Sequence, residues 1–205
     1  MLITSKLFTY FLEPMAQGYY YYVLMFILSP CLFMLACSGS PVEDACSVTR
    51  YQDLCIRSLA SFSGVAKHSP GRWARAGVSV TIAESKRVGR YLAGLKKSRK
   101  GGLNKVALSD CIDCFEDSLD NLHRSLYVLR KLSVREFVSE IEDVTTWISA
   151  ALTDSDTCAD GFAEGKRVGF IINRVSNVTF LTSNALALVN RLGTAGPDCL
   201  TNGNC

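Results

Sequence analysis

The first candidates for chemistry in this sequence are two cysteines separated by two residues, Cys111 and Cys114. A CxxC pair is typical of thiol redox centres and contributes to many zinc sites. This pair lies inside a run of apolar residues at helical spacing, and the chain has no second CxxC and no histidine cluster. We therefore interpret the pair as structural, and we expect no metal site and no cofactor.

The two histidines of the chain, His68 and His123, offer little for nucleophilic catalysis. Such catalysis needs a serine or cysteine beside a base that a third group orients. His68 lies in a polar stretch and His123 follows Asn121 on a helical segment, so each is typical of a surface histidine. The sequence predicts a binding protein rather than an enzyme.

Three carboxylates, Asp113, Asp117 and Asp120, form a more informative pattern. Their spacings of four and three residues place them along one face of a helix, with Glu116 beside them. Charged stripes of this kind are usually solvated faces that keep a protein soluble. The alternative is a recognition surface for a partner protein, and the spacing alone leaves both interpretations open.

Composition restricts the class of protein. Of 205 residues, 48% are hydrophobic and 20% are charged, and the net charge is +3, which excludes a disordered chain and disfavours nucleic-acid binding. Nine cysteines favour an oxidising compartment. Seven of them follow residue 40, and an odd number implies at least one free or intermolecularly paired thiol.

The N-terminal region predicts export from the cell. Residues 19–36 are almost entirely apolar and precede small residues, so we assign 1–40 to a cleaved signal peptide. A membrane anchor is the alternative, although Pro30 interrupts the apolar run. We expect a secreted, extracellular protein without stable membrane association after cleavage. Asn177, in the sequence Asn-Val-Thr, is a candidate glycosylation site.

Helices must position these residues, because apolar side chains recur every three or four positions between Pro70 and Pro197. Short links between helices favour antiparallel packing, so we expect an all-α, up-down-up-down four-helix bundle over about 70–192. Ahead of it, 42–64 predicts a helical arm; arm and bundle form one domain over 41–195, and a tail covers 196–205. The four predicted helices cover about 71–97, 103–131, 134–154 and 163–192.

Local signals predict where these helices begin and end. Ser69 caps the first helix ahead of Pro70. Ser133 and Glu136 form a capping box for the third helix, and Gly193 ends the fourth. The predicted inner faces include Ala83, Val134 and Phe170.

The segment that begins at Cys46 with CSVTRYQDLC resembles the Cys-x8-Cys opening of the plant invertase and pectin methylesterase inhibitor family. Three later segments resemble the same family in the same order. They are 107–122 (ALSDCIDCFEDSLDNL), 146–162 (TWISAALTDSDTCADGF) and 181–188 (LTSNALAL). The resemblance covers about residues 46–192 and implies a helical arm on a four-helix bundle, stapled by two disulfides and secreted to the plant cell wall.

The resemblance also implies residue roles. The disulfides would join Cys46 to Cys55 and Cys111 to Cys158, whereas Cys114 departs from the family pattern. In pectin methylesterase inhibitors, acidic residues that follow the cysteine corresponding to Cys111 contact the enzyme across its substrate cleft. One acidic residue that follows the cysteine corresponding to Cys158 does the same. By motif, the enzyme-binding residues would be Asp113, Asp117, Asp120 and Asp160, with small residues around Thr157 filling the interface.

These implications predict an inhibitor of pectin methylesterase that binds the enzyme one-to-one. Inhibition of acid invertase is the alternative within the family, but its Pro-Lys-Phe tripeptide is absent, since the prolines after residue 40 precede Val42, Gly71 and Asp198. A propeptide of a longer esterase and a bundle that has lost inhibition are further interpretations that the sequence leaves open. Cys199 and Cys205 could pair with each other or with another chain.

A set of basic residues surrounds the end of the first predicted helix. Adhesion to wall pectate is one interpretation, but we favour a solvated loop because the positions scatter around the helix. The set comprises Lys86, Arg87, Arg90, Lys96, Lys97, Arg99, Lys100 and Lys105.

Overall fold

Four long helices form most of the protein, seen here in a computed structural model that describes residues 39–98, 104–162, 169–203 and 205. Their order and antiparallel packing confirm the predicted all-α, up-down-up-down bundle. No helix within those ranges is both long and apolar enough to cross a bilayer. The predicted signal peptide lies outside the described residues, except for Gly39 and Ser40.

Eight α-helices are described. Four are short and belong to the arm and the tail, and four are long and form the bundle. The short helices are α1 (Pro41–Cys46), α2 (Gln52–Leu59), α3 (Ser63–Ala66) and α8 (Asp198–Thr201). The bundle helices are α4 (Pro70–Lys97), α5 (Lys105–Leu129), α6 (Phe137–Asp160) and α7 (Gly169–Ala195).

The starts of α4 and α5 follow local capping rules. The Ser69 hydroxyl accepts a hydrogen bond from the backbone N–H of Arg72 at 3.2 Å, and Pro70 occupies the first turn, as predicted. The Asn104 side chain caps α5 by accepting from the backbone N–H of Val106 at 3.0 Å. Helix α5 is therefore slightly shorter than the predicted 103–131.

The predicted capping box of α6 is wrong. The helix begins at Phe137, and the backbone N–H of Ser133 donates to the Glu140 carboxylate at 2.8 Å instead of pairing with Glu136. Residues 134–136 form a turn, which leaves Val134 52% exposed rather than on the inner face. The carboxylate seven residues after Ser133 therefore accepts the hydrogen bond that was predicted for the carboxylate three residues after it.

The predicted end of α6 near residue 154 is also wrong, because the helix continues to Asp160. Its polar residues satisfy their hydroxyls within the helix: Thr153, Ser155 and Thr157 each donate to the carbonyl four residues earlier, at 2.9–3.1 Å. Cys158 and Asp160 consequently lie on a helix and not on a link.

Helix α7 differs from prediction at both ends. Its predicted start, 163–168, lies outside the described residues. Phe170, a predicted core residue, is 78% exposed. The helix passes through Gly193 and ends at Ala195, followed by Gly196 at φ +75°, the left-handed conformation typical of a helix C-terminus. A Cβ at Gly193 would lie 3.1 Å from the Ile141 side chain, so this glycine serves packing.

The bundle core divides into two clusters along its length. Ala83 is exposed and belongs to neither, which corrects the predicted inner face of α4. One cluster includes Val78, Leu122, Leu129, Phe137, Ile148, Val189 and Leu192. The other includes Val88, Leu92, Leu108, Cys111, Phe115, Cys158, Ile171 and Val175.

The arm, formed by α1, α2, a 3-10 turn and α3, packs on α4 and α7. Its buried residues share a cluster with Trp73 and Leu188 of the bundle. Asn184 fixes the arm by two hydrogen bonds, since it accepts from the Tyr51 N–H at 3.1 Å and donates to the Tyr51 carbonyl at 2.9 Å. The predicted helical arm is thus a docked element.

Three disulfides staple these elements. They join Cys46 to Cys55, Cys111 to Cys158 and Cys199 to Cys205, with Cα–Cα distances of 5.7, 4.4 and 4.9 Å. The first two are the pairs that the family resemblance implies, and the third shows that the two terminal cysteines pair with each other. Cys114 is the free thiol of the described residues.

The tail folds back onto the start of α4. The carbonyl oxygen of Cys205 accepts hydrogen bonds from the Ser69 hydroxyl at 2.7 Å and from Arg75 Nη2 at 2.8 Å. Burial, with the charges of Arg72 and Arg130, lowers the pKa of Arg75. A Cβ at position 71 would lie 2.7 Å from the Cys205 oxygen, so the tail can pack this closely on α4 only because residue 71 is glycine.

Candidate functional site

The three predicted carboxylates of α5, Asp113, Asp117 and Asp120, are all exposed. The inward positions of the same helix, such as Phe115 and Leu122, are almost fully buried, so the acids occupy the opposite side of an anchored helix. Their charges are therefore held in place by the core while their oxygens remain open to water. We call these three residues and Glu116 the acidic face.

The Cys111–Cys158 disulfide brings α6 to this region. Asp113 lies two residues after Cys111, and Asp160 lies two residues after Cys158, while the Cα atoms of the bridged pair are 4.4 Å apart. Asp160 and Thr157 are exposed on the last turn of α6. Because α5 and α6 run antiparallel, Asp113 and Asp160 each lie two residues from the bridge but in opposite directions along the bundle axis. Asp117 and Asp120 continue along α5, away from Asp160.

Thr157 belongs to a run of hydroxyl residues on α6. Thr146, Thr153 and Thr157 are exposed, and each hydroxyl donates to the carbonyl four residues earlier. This hydrogen bond restricts side-chain rotation, and the β-branched side chain is already stiff. The exposed surface of α6 is consequently ordered and uncharged at these positions, next to a charged surface on α5.

Asp154 is a carboxylate that sequence reasoning missed. Burial raises its pKa, the neighbouring charge of Asp117 raises it further, and a hydrogen bond from Asn121 partly offsets both. Its Oδ2 atom is buried and has no hydrogen-bond partner within the described ranges. The helical spacing of Asp154 from Ala151 and Cys158 would have revealed its position, had α6 been predicted to continue to residue 160.

Cys114 lies among the same carboxylates. Burial raises the pKa of its thiol, and the charges of Asp154, Asp117, Asp110 and Asp113 raise it further. Because the thiolate is the reactive form, this environment lowers the reactivity of the free cysteine. Its CxxC partner, Cys111, is bonded to Cys158 instead.

The remaining candidates lie elsewhere. His68 and His123 are exposed, and His123 Nδ1 lies 2.6 Å from the Leu119 carbonyl on the same helix. Asn177 is half-buried within α7, and its glycosylation stays a prediction. In the described parts of the chain, no three His, Cys, Asp or Glu side chains are arranged to hold a metal ion.

The basic set is dispersed. Lys96 donates to the Ser109 hydroxyl at 3.0 Å, and Arg87 pairs with Glu84. Lys86 and Arg90 are exposed on α4. Arg99 and Lys100 lie outside the described residues.

The chain is similar to known plant proteins over most of its length. The family model described as plant invertase/pectin methylesterase inhibitor matches residues 40–188. "Pectinesterase inhibitor 6" of Arabidopsis thaliana is 48% identical over 76% of each chain. "Pectinesterase inhibitor 3" of the same plant is 37% identical over 74% of this chain and 78% of its own.

Further matches agree with these. The "21 kDa protein" of Daucus carota is 33% identical over 78% of this chain and 89% of its own. A crystal structure of a mutant pectin methylesterase inhibitor from Arabidopsis superposes with a TM-score of 0.60 at 22% identity, covering 74% of this chain and 97% of that one. At that identity the superposition shows the shared fold alone.

Proposed function

The chain belongs to the plant invertase/pectin methylesterase inhibitor family, and we propose that it inhibits pectin methylesterase by binding one-to-one across the substrate cleft of the enzyme. It is an inhibitor and not an enzyme. By occupying the cleft, it would keep cell-wall pectin methylated. The observation that carries the proposal is the 48% identity, over three quarters of both chains, to a protein named as a pectinesterase inhibitor.

The acidic face is our candidate for the surface that meets the enzyme. Exposed carboxylates on a rigid helix can make charge-assisted hydrogen bonds, and they suit a cleft that receives a polyanionic pectin chain. Complementary long-range fields also steer encounter and raise association rates. In this proposal Asp113, Asp117, Asp120 and Asp160 orient the complex, while small residues around Thr157 pack at its centre.

Inhibition of acid invertase is the less favoured function. The Pro-Lys-Phe tripeptide expected of such inhibitors is absent, and two of the relatives reported above, which are 48% and 37% identical, are named as pectinesterase inhibitors. The three disulfides suit an oxidising compartment, so we propose that the protein acts in the cell wall after secretion.

A tight-binding titration tests the function directly. The oxidised protein, residues 41–205, is titrated in parallel against a plant pectin methylesterase and a plant acid invertase at about pH 5–6, where plant walls are mildly acidic. Stoichiometric loss of esterase activity alone supports the proposal. Loss of invertase activity alone would show that the protein inhibits invertase instead. No effect on either enzyme would exclude both proposed inhibitory functions for the enzymes tested.

Charge reversal tests the surface. We expect Asp117→Lys with Asp120→Lys to weaken esterase inhibition by roughly 100-fold or more, because each lost charge-assisted bond is worth about 1.5–3 kcal/mol. The matched control is Asp53→Lys with Asp198→Lys, which makes the same change in net charge at exposed positions on the arm and tail. Equal inhibition by both double variants would show that the acidic face is only a solvated surface.

A further inference from the structure

An open groove runs between α4 and α5. Its volume is about 570 Å³, within the range of surface sites that bind partners or ligands. Small residues of α4 leave it open, since a Cβ added at Gly89 would meet no atom within 4 Å. Its lining includes Lys86 and Arg90 on α4 and Ile112, Phe115, Glu116 and Leu119 on α5.

The two rims of this groove carry opposite charges. Lys86 and Arg90, one helical turn apart, are exposed on the α4 rim, and Glu116 is exposed on the α5 rim. Ion pairs within the described ranges join Arg87 to Glu84 and Arg191 to Asp44, and neither involves the rim residues. The groove therefore holds a basic and an acidic rim apart, with an apolar floor between them.

We propose that two copies of the chain pair face to face through this groove, about a twofold axis parallel to it. Rotation about that axis exchanges left and right but preserves height along the groove. The α4 rim of one copy then faces the α5 rim of the other at the same level. Lys86 and Arg90 of each copy then share Glu116 of its partner, so charges of opposite sign meet at both rim contacts.

The charge pattern selects this axis over the other face-to-face arrangement. A twofold axis across the groove would place α4 against α4 and bring Lys86 and Arg90 against their own copies, which like-charge repulsion disfavours. Under the chosen axis the oppositely charged rims meet instead, and the apolar floors of the two copies, which include Ile112 and Leu119, face each other across the enclosed groove. The self-complementary surface therefore specifies a second copy of this chain as the occupant.

This inference stands without the proposed function, but it has a consequence for it. Glu116 lies in the acidic face, between Asp113 and Asp117 in sequence. Dimer formation and enzyme binding would therefore compete for the exposed surface of α5.

Complementary charge variants test the dimer. Variant one carries Lys86→Glu and Arg90→Glu, and variant two carries Glu116→Lys. Each alone places like charges across the twofold axis, whereas a mixture of the two restores opposite charges at every rim contact. The control, Arg57→Glu with Arg135→Glu, makes the same charge change as variant one at exposed positions away from the groove.

Sedimentation velocity of the oxidised protein at 50 mM salt provides the measurement. For a weak interface held mainly by rim charges, we expect a dissociation constant on the order of 10–100 µM for the unaltered chain and the control. Each variant alone should bind itself at least about 10-fold more weakly, and an equimolar mixture should recover the original affinity within roughly 3-fold, as expected of paired charges. Raising the salt to 500 mM should also weaken the dimer of the unaltered chain.

Three results would overturn the proposal. One is a chain that stays monomeric up to about 300 µM at low salt, well above the affinity expected for small interfaces. Another is a dimer that neither salt nor variant one weakens, since its interface must then lie on another surface. The third is a mixture of folded variants that fails to associate. If a variant does not fold, a monomeric chain or a salt-independent dimer of the unaltered chain would still overturn the proposal.

Discussion

Removal of the Cys111–Cys158 disulfide should have a larger effect on stability than removal of either other bridge. It ties the first turns of α5 to the last turn of α6 and closes a loop with a sequence separation of 47. The loops closed by Cys46–Cys55 and Cys199–Cys205 have separations of 9 and 6. In the chain-entropy model these loops correspond to about 4, 3 and 2 kcal/mol of unfolding free energy.

The perturbation is Cys111→Ala with Cys158→Ala. Both residues must be replaced, because in a single variant Cys114, one turn from Cys111, could pair with Cys158 and hide the loss. We expect the double variant to lose about 4 kcal/mol of unfolding free energy, and its melting temperature to fall by roughly 8–16 °C for a domain of this size. Cys46→Ala with Cys55→Ala, the matched control, should lose about 3 kcal/mol.

The assay is urea unfolding at pH 6, followed by far-ultraviolet circular dichroism and extrapolated linearly to water. Cys114→Ala is measured alongside and should change stability by less than about 1 kcal/mol, because that side chain is only half-buried and unbonded. A loss below that of the Cys46–Cys55 control would refute the reasoning. It would mean that loop length does not govern the contribution of these bridges.

Three further predictions concern single positions and pH. Asp154→Asn should raise the unfolding free energy by about a few tenths of a kcal/mol at pH 7, because solvent screens this carboxylate, and by less at pH 4. A carboxyl whose pKa is raised by folding costs stability once it ionises, as the pH rises above its unfolded pKa and through its folded pKa. Equal gains by urea unfolding at both pH values would contradict this. Gly71→Ala should cost about 1–3 kcal/mol by the same assay, because its Cβ would meet the Cys205 oxygen, whereas Gly94→Ala, with open space around it, should be neutral or stabilising. Esterase inhibition should weaken between pH 5 and 8 if interface carboxylates share protons, and an inhibition constant that is flat over this range would exclude such sharing.

The sequence predicted the family and the partner more directly than it predicted the binding site. The four family-like segments predicted the family, the bundle and the partner, and the helical spacing of Asp113, Asp117 and Asp120 predicted a common exposed face. The disulfide pairing came from the family resemblance, because four cysteines alone admit three arrangements. Whether the acidic face meets the enzyme stays a prediction for the charge-reversal experiment.

The predictions that failed are at places where a distant group or the helix backbone outweighs a local signal. At Ser133 the backbone N–H donates to Glu140 and not to the predicted capping box. In α6 the hydroxyls of Thr153 and Thr157 donate to carbonyls of the same helix, so the helix continues through the polar stretch that predicted a link. Phe170, apolar by type, is exposed because burial depends on which side of α7 faces its neighbours. None of these outcomes follows from residue type alone.

The sequence by itself determined the helical period and the membership of the acidic face, because each is a property of residues a few positions apart on one helix. The short links between the predicted helices indicated the antiparallel bundle. Only the tertiary structure decided that Asp154 faces Asp117, that Cys199 pairs with Cys205, and that α4 and α5 leave a groove with oppositely charged rims. The physical reason is that burial, pKa and pairing depend on groups that the fold brings together from separate helices. Spacing along one chain segment carries no information about such neighbours.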